Sequence, residues 1–359
     1  MDLVSIKNIR IANSGLGNAF GSVNECVEAL IGIQAQYQQF GEISLFHRLG
    51  ELDKDILKGK YDDNEIIKLW GQRTTVHLYI PEDWKNLSAI YAPRRTWVRK
   101  HCEELGVDLD LLLEQMDSLG KSKRFVPKEE LADLMGDQAK KLMTWGGVLI
   151  EASLRGQIYA VPESPKTRFY AHREWIDDAS LATWQASIDK SAIDRFLYRY
   201  FSCYGPATLD DFKHWSGLPN YAFLDAFKRI EENLERFEVA RKMYYIPEEA
   251  LYLERQNVIS QVKLLGKFDP LFVSYADKGW FADAMYQKEI WRTAGHIEAV
   301  ILIDGEIRGT WRYLIKGTKI QFTCYCFSRI SVRDRKRIAL EAERLALFLQ
   351  KDLAGIKYE

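Results

Sequence analysis

Thr208-Leu209-Asp210-Asp211-Phe212-Lys213-His214-Trp215-Ser216-Gly217-Leu218-Pro219 is the stretch whose local chemistry points most directly to a fold. Thr208 and Asp211 stand at the spacing of a capping box, in which two side chains satisfy N–H groups that a helix start leaves without partners. Phe212 and Trp215 then share one face of the helix, and Gly217 with Pro219 ends it. A second helix is expected next, with Phe223, Leu224, Phe227 and Ile230 recurring at helical spacing. Beyond it, 236–240 and 243–246 read as strands around a basic tip, Arg241-Lys242. Helix, turn, helix and hairpin is the winged form of the helix-turn-helix module, and a basic hairpin tip suits contact with DNA phosphate.

The same order is expected upstream. Pro127 opens a helix that Gly136 closes, a second helix covers 142–155 up to Gly156, and a hairpin follows at 158–161 and 167–170 around Pro162 and Pro165. A weaker first unit ends in Arg73-Thr74-Thr75-Val76-His77-Leu78-Tyr79-Ile80, which alternates as a strand stopped by Pro81. Val76, Leu78 and Ile80 are expected on its core face, and Thr75, His77 and Tyr79 on the other. Long helices are expected over 84–104 and 108–119. From residue 262 the texture turns to strands, at 262–265, 271–274, 299–303, 309–315 and 319–327, with Asp304-Gly305 a hairpin signal. A final helix, capped by Ser331 and Asp334 and stopped by Gly355, presents Ile338, Ala342, Leu345 and Leu349 on one face.

Within the first unit, Gly32-Ile33-Gln34-Ala35-Gln36-Tyr37-Gln38-Gln39-Phe40 sets four glutamines at the end of an apolar helix that Ser22 and Glu25 cap. If that helix continues, Gln34 returns to the buried stripe begun by Val23, and its amide must find partners. If it ends near Ile33, Gln34 and Gln36 point the same way from an extended segment and bring two amides into one space. Solvated residues at a helix end are the plainer alternative.

Bulk properties exclude several classes. A chain of 359 residues is longer than one core of typical size supports. Its 47% apolar and 28% charged residues are those of a folded water-soluble protein. No apolar run approaches the roughly 18 residues of a membrane span, and no signal peptide is evident, so the expected location is the cytoplasm. The five scattered cysteines, Cys26, Cys102, Cys203, Cys324 and Cys326, lack histidines at ligand spacing, so reduced thiols and no metal are expected. A net charge of −1 argues against coating nucleic acid by bulk attraction and leaves binding to local basic clusters.

Gln34-Ala35-Gln36, Arg73 to Leu78, Tyr204-Gly205-Pro206-Ala207-Thr208 with Trp215-Ser216-Gly217-Leu218, Phe268-Asp269, and Asp304-Gly305 with Gly309-Thr310-Trp311-Arg312 together resemble the AlkZ/YcaQ family of bacterial winged-helix DNA glycosylases. The resemblance covers nearly the whole chain. It implies an α+β protein of three tandem winged-helix units at 1–82, 83–186 and 187–258, with a C-terminal β-barrel-like domain at 259–359, around a DNA-binding cleft. It implies removal of N-alkylated bases, including those in interstrand crosslinks, from double-stranded DNA by a monomer that needs no cofactor. Gln34 and Gln36 match the two-glutamine form of the family's catalytic motif. Arg73, His77 and Asp269 become cleft candidates, Asp269 with an Asx turn before Pro270 as its alternative. A winged-helix regulator without catalysis is the competing function, and the direction of the two glutamine side chains separates them.

Overall fold

Ser22 starts helix Val23–Ala29 by accepting from the Glu25 N–H at 3.1 Å, but the helix does not run on into the glutamines. Ile31 and Gly32 take positive φ of 53° and 84°, and the chain turns into strand β1 (Ile33–Gln34). A Cβ on Gly32 would lie 2.3 Å from the Tyr79 ring, so the close packing of this turn requires glycine. In the computed structural model, which describes residues 1–16, 20–95, 97–162, 169–177, 181, 191–251 and 261–359, β1 edges a six-stranded sheet. Its other strands are β2 (Ile67–Trp70), β3 (Val76–Tyr79), β4 (Val126–Pro127), β5 (Ile158–Ala160) and β6 (Phe169–His172), in the order β1-β3-β2-β5-β6-β4.

All its pairings are antiparallel, and β2 meets β5 at Lys68 and Ala160, so strands from the first two expected units make one sheet. Helix Val23–Ala29 packs on β3 and helix Gly147–Leu154 on β2. That cover corrects the alternation read for β3: His77 and Tyr79, expected away from the core, are 3% and 0% exposed. A strand covered on both faces no longer displays its burial as a period of two. The expected helix over 84–104 divides into Asp83–Tyr91 and Trp97–Glu104 around Pro93, which cannot donate to the ladder. Gly17, Pro165, Thr167 and Trp184 lie outside the described residues.

The capping box at Thr208 forms on both sides, with Thr208 Oγ1 accepting from Asp211 N–H at 3.1 Å and Asp211 Oδ2 from Thr208 N–H at 3.0 Å. Helix Leu209–Ser216 ends on Gly217 at φ 73°, helix Leu224–Ile230 follows, and β7 (Glu235–Val239) pairs with β8 (Lys242–Ile246). Gly217 also has a tertiary role. A Cβ there would stand 3.1 Å from the Arg73 Cα, so the helix-turn-helix closes tightly on the loop that carries Arg73.

The last region holds β9 (Val262–Leu265), β10 (Val300–Ile303), β11 (Glu306–Lys316), β12 (Lys319–Cys326) and β13 (Asp352–Tyr358), ordered β13-β12-β11-β10-β9. No pairing among the described residues joins β9 to β13, so the expected barrel is corrected to an open sheet. Helix Val332–Phe348 packs along β9 and β13 and buries Ile338, Ala342 and Leu345. The helix supplies the apolar cover that a barrel would obtain by closing on itself. It ends at Leu349, not at Gly355: Gln350 takes φ 56°, the chain reverses, and Gly355 lies inside β13, which runs parallel to β12. The expected strand at 271–274 is the helical turn Pro270–Val273, capped by Asp269, with proline at its favoured first position.

A glutamine relay in a basic cleft as candidate active site

Because the chain is extended through β1, Gln34 and Gln36 project to one side. Gln34 Nε2 donates to Gln36 Oε1 at 3.1 Å, and Arg73 Nη2 donates to Gln34 Oε1 at 2.9 Å. A guanidinium has no acceptor, so it fixes Gln34 with its oxygen toward Arg73 and its NH2 toward Gln36. One cation thereby sets the polarity of both amides, and Gln36 retains a free lone pair and its own NH2. Arg73 and Thr74 take left-handed φ of 53° and 58° between β2 and β3. Arg73 Nη1 donates to the carbonyls of Trp215 at 3.0 Å and Val273 at 3.4 Å, so the site is pinned by segments far apart in sequence.

The relay opens into a cleft of about 1100 Å³. Gln34, Gln36, Gln39, Arg73 and Thr75 line one side, and Phe268, Val273, Trp291, His296 and Ile297 give an apolar and aromatic wall. Lys278, His214 and Arg292 also line it, and among the described residues no carboxylate does. Gln38 turns away, 1% exposed, and donates to Glu42 at 3.0 Å. Tyr37 stacks on Phe268 with centroids 6.2 Å apart and planes at 11°. Phe268 holds φ 59°, a conformation that costs a bulky residue about 1–3 kcal/mol and tends to mark functional sites.

A family model described as DNA glycosylase AlkZ-like matches residues 27–348, which include the relay, the cleft walls and four of the five strands of the C-terminal sheet. The chain belongs to the AlkZ-like DNA glycosylase family. It is thus an enzyme that cleaves the bond between base and sugar in DNA. Among curated proteins it is similar to an interstrand DNA cross-link repair glycosylase of Streptomyces sahachiroi, 24% identical over 316 residues that cover 81% of this chain and 82% of that protein. Its fold matches that of the solved Streptomyces sahachiroi DNA glycosylase AlkZ with a TM-score of 0.82 and 20% identity over 100% of both chains.

In this AlkZ-like glycosylase the other expected site residues separate. His77 pairs with Gln34 in register across β1 and β3, which sets the two side chains side by side on one face of the sheet. It is buried instead of lining the cleft, and its Nδ1–H donates to Thr75 O at 2.9 Å. Burial, reinforced by the Arg73 charge, brings its pKa from 6.5 down to about 3, so the ring is neutral at working pH. The unfolded chain therefore binds a proton that the native state refuses between those values, and stability falls as pH drops below 6.5. Between pH 7 and 5 this one group should remove roughly 2 kcal/mol. Urea unfolding at both pH values should show that loss shrinking in His77→Gln, and an unchanged pH dependence would contradict it.

Asp269 does not line the cleft. It is 0% exposed and takes a bidentate pair from Arg48 at 2.7 and 2.9 Å, a bond from Ser44 at 3.0 Å and the Leu271 N–H at 3.0 Å. Burial opposes its charge, but Arg48 outweighs that and keeps the carboxyl below its ordinary pKa. The Asx reading before Pro270 was the nearer one, extended by a buried ion pair. Arg241 and Lys242 stand at the β7–β8 turn as expected and line a separate pocket of about 530 Å³ with Asp210, Asp211 and Asp277. Lys242 pairs with Asp277 at 3.2 Å.

Sequence reading missed Lys278, His214, Trp291 and Tyr37. Lys278 follows Ala276-Asp277 in a loop with no periodicity to mark it. Lys278 Nζ donates to Tyr275 O at 2.6 Å and to His214 Nε2 at 3.1 Å. Burial, followed by the Arg73 charge, lowers its pKa to about 8, and burial with the Lys278 and Arg73 charges lowers that of His214 to about 4. His214 is thus neutral, with Nε2 free to accept.

Proposed function

We propose that this glycosylase excises cationic N-alkylated purines of the N7-alkylguanine type from double-stranded DNA, and unhooks interstrand crosslinks made through such bases, using water held by Gln34 and Gln36. The arrangement that carries this reading is the Arg73-Gln34-Gln36 relay opening into the cleft. An amide is too weak a base to take a proton from water. A purine alkylated on a ring nitrogen is already cationic, however, and departs neutral without an acid. What remains is to orient water toward the developing sugar cation, and two amide oxygens accepting its O–H groups leave its lone pair aimed at the anomeric carbon. The proton released on attack passes to solvent. Uncharged bases are expected to be poor substrates, and neither a metal nor a lysine imine is required.

This assignment also takes 1–82, 83–186 and 187–258 as winged-helix units and 259–359 as the C-terminal domain, working as a cytoplasmic monomer. Among the described residues no helix is long and apolar enough to cross a membrane. A non-catalytic regulator has no use for a polarised amide pair inside a cleft, which favours the enzyme. The test is release of N7-methylguanine from alkylated duplex, unaffected by chelator and leaving no borohydride-trapped complex; no release, or a trapped adduct, would reject it.

The wing is assigned to duplex phosphate. Arg241 is exposed at the hairpin tip and Lys242 has Asp277 as its ion partner, so Arg241 should contribute more. Replacing both with alanine should weaken binding alike for unrelated sequences and lower the salt slope by about 1–2. Unchanged affinity and slope in a titration series would exclude this contact.

A further inference from the structure

The cleft carries positive charge that the protein does not neutralise. Three cations line it. Arg292 is paired, with Glu289 at 2.9 Å and Glu298 at 3.8 Å. Arg73 and Lys278 have no carboxylate of the described residues within ion-pair distance; their partners are carbonyls, the Gln34 amide, a neutral imidazole and, for Lys278, the face of the Trp291 ring at 5.5 Å. The acids whose charge acts on Lys278 are already committed, Asp211 to Arg10 at 3.0 Å and Asp277 to Lys242 at 3.2 Å. Both cations are half-buried; burial lowers the pKa of each, and the Arg73 charge lowers that of Lys278 further.

Such an arrangement is unfavourable in the free protein, since partly desolvated charges normally gain a counter-ion. It is doubly unfavourable for the proposed chemistry, because a positive field beside the relay opposes a developing sugar cation. Both costs vanish if an anion arrives with the substrate. Lys278 has the means to bind it: two of its three N–H groups are used, on Tyr275 O and His214 Nε2, and one remains for the cleft. Its ammonium makes the contact, while Arg73, with both terminal nitrogens bonded to protein acceptors, supplies a fixed field behind it.

Resting on the reading of this cleft as the place of base excision, we infer that Lys278, backed by Arg73 and His214, seats one phosphodiester of the lesion strand next to the reacting sugar. The bound phosphate neutralises the cleft and leaves a net field that tolerates positive charge at the anomeric carbon. Lys278 is a positioning residue here, acting on the sugar through the phosphate it holds.

The experiment is a charge-deletion scan. Duplexes carry one N7-methylguanine on a 2′-fluorinated, cleavage-resistant sugar, with a neutral methylphosphonate placed singly at each of the two phosphates on either side of it. Dissociation constants are measured for wild type, Lys278→Gln and Lys278→Arg. Wild type should lose about tenfold in affinity at one position only, Lys278→Gln should be indifferent to that same substitution, and Lys278→Arg should recover the sensitivity. A wild type indifferent at every position, or a Lys278→Gln as sensitive as wild type, would overturn the seat. Release of base from ordinary alkylated duplex by wild type is read separately, so loss of the seat leaves the glycosylase reading intact.

Discussion

Gln36→Ala should release N7-methylguanine from duplex DNA on the order of 10²-fold more slowly than wild type, with little change in affinity for the same duplex. Gln36 is the exposed end of the relay, and its removal takes away the amide oxygen with the clearest path to a cleft water. Gln34→Ala should lose at least as much, because it also removes the bond that orients Gln36 and leaves the Arg73 Nη2 donor without its acceptor. Single-turnover release separates the effect on chemistry from product dissociation. Arg73→Lys is the informative third variant: it keeps a cation but cannot grip two carbonyls and an amide in a planar fork, so the rate should fall although the charge is retained. Full activity in both glutamine variants would end the mechanism.

Asp269→Ala should destabilise the protein by about 3–5 kcal/mol, the usual result of stranding a buried cation. Arg48 is 0% exposed and loses both carboxylate contacts, while Ser44 and the Leu271 N–H lose theirs as well. Asp269→Asn keeps the shape and one acceptor and should cost less. Denaturant midpoints measure the loss, and base release per folded molecule should stay within about twofold of wild type, because the carboxylate does not reach the cleft. Lost activity with unchanged stability would return Asp269 to the reacting site.

Much of the architecture was legible in short-range signals. The Thr208–Asp211 capping box, the Ser331 cap and the Asp304-Gly305 hairpin appear where the residues point, since caps and turns are settled by atoms within a few residues of one another. Signals that needed context failed. Alternation in β3 misled because the strand is covered on both faces, and the stretch after Asp269 became a helical turn because Pro270 at its first position and the Asp269 cap outweighed an apolar run. The open C-terminal sheet depends on where helix Val332–Phe348 lands and on β13 adding in parallel, and both are decided by packing.

The sequence by itself determined the family, through separated motifs in order, and singled out two glutamines as the catalytic candidates. It left open whether those amides were buried in a helix, solvated or convergent. Only the tertiary structure decided that, through the Ile31–Gly32 turn against Tyr79 and through Arg73, 39 residues from Gln34, whose donors fix the amide polarity. It also decided that Asp269 belongs to Arg48, 221 residues away, and that Lys278 has no acid partner among the described residues. The reason is physical: periodicity and capping record what a side chain meets within a turn or two, whereas the partner of a charge is set by which distant segments the core brings together.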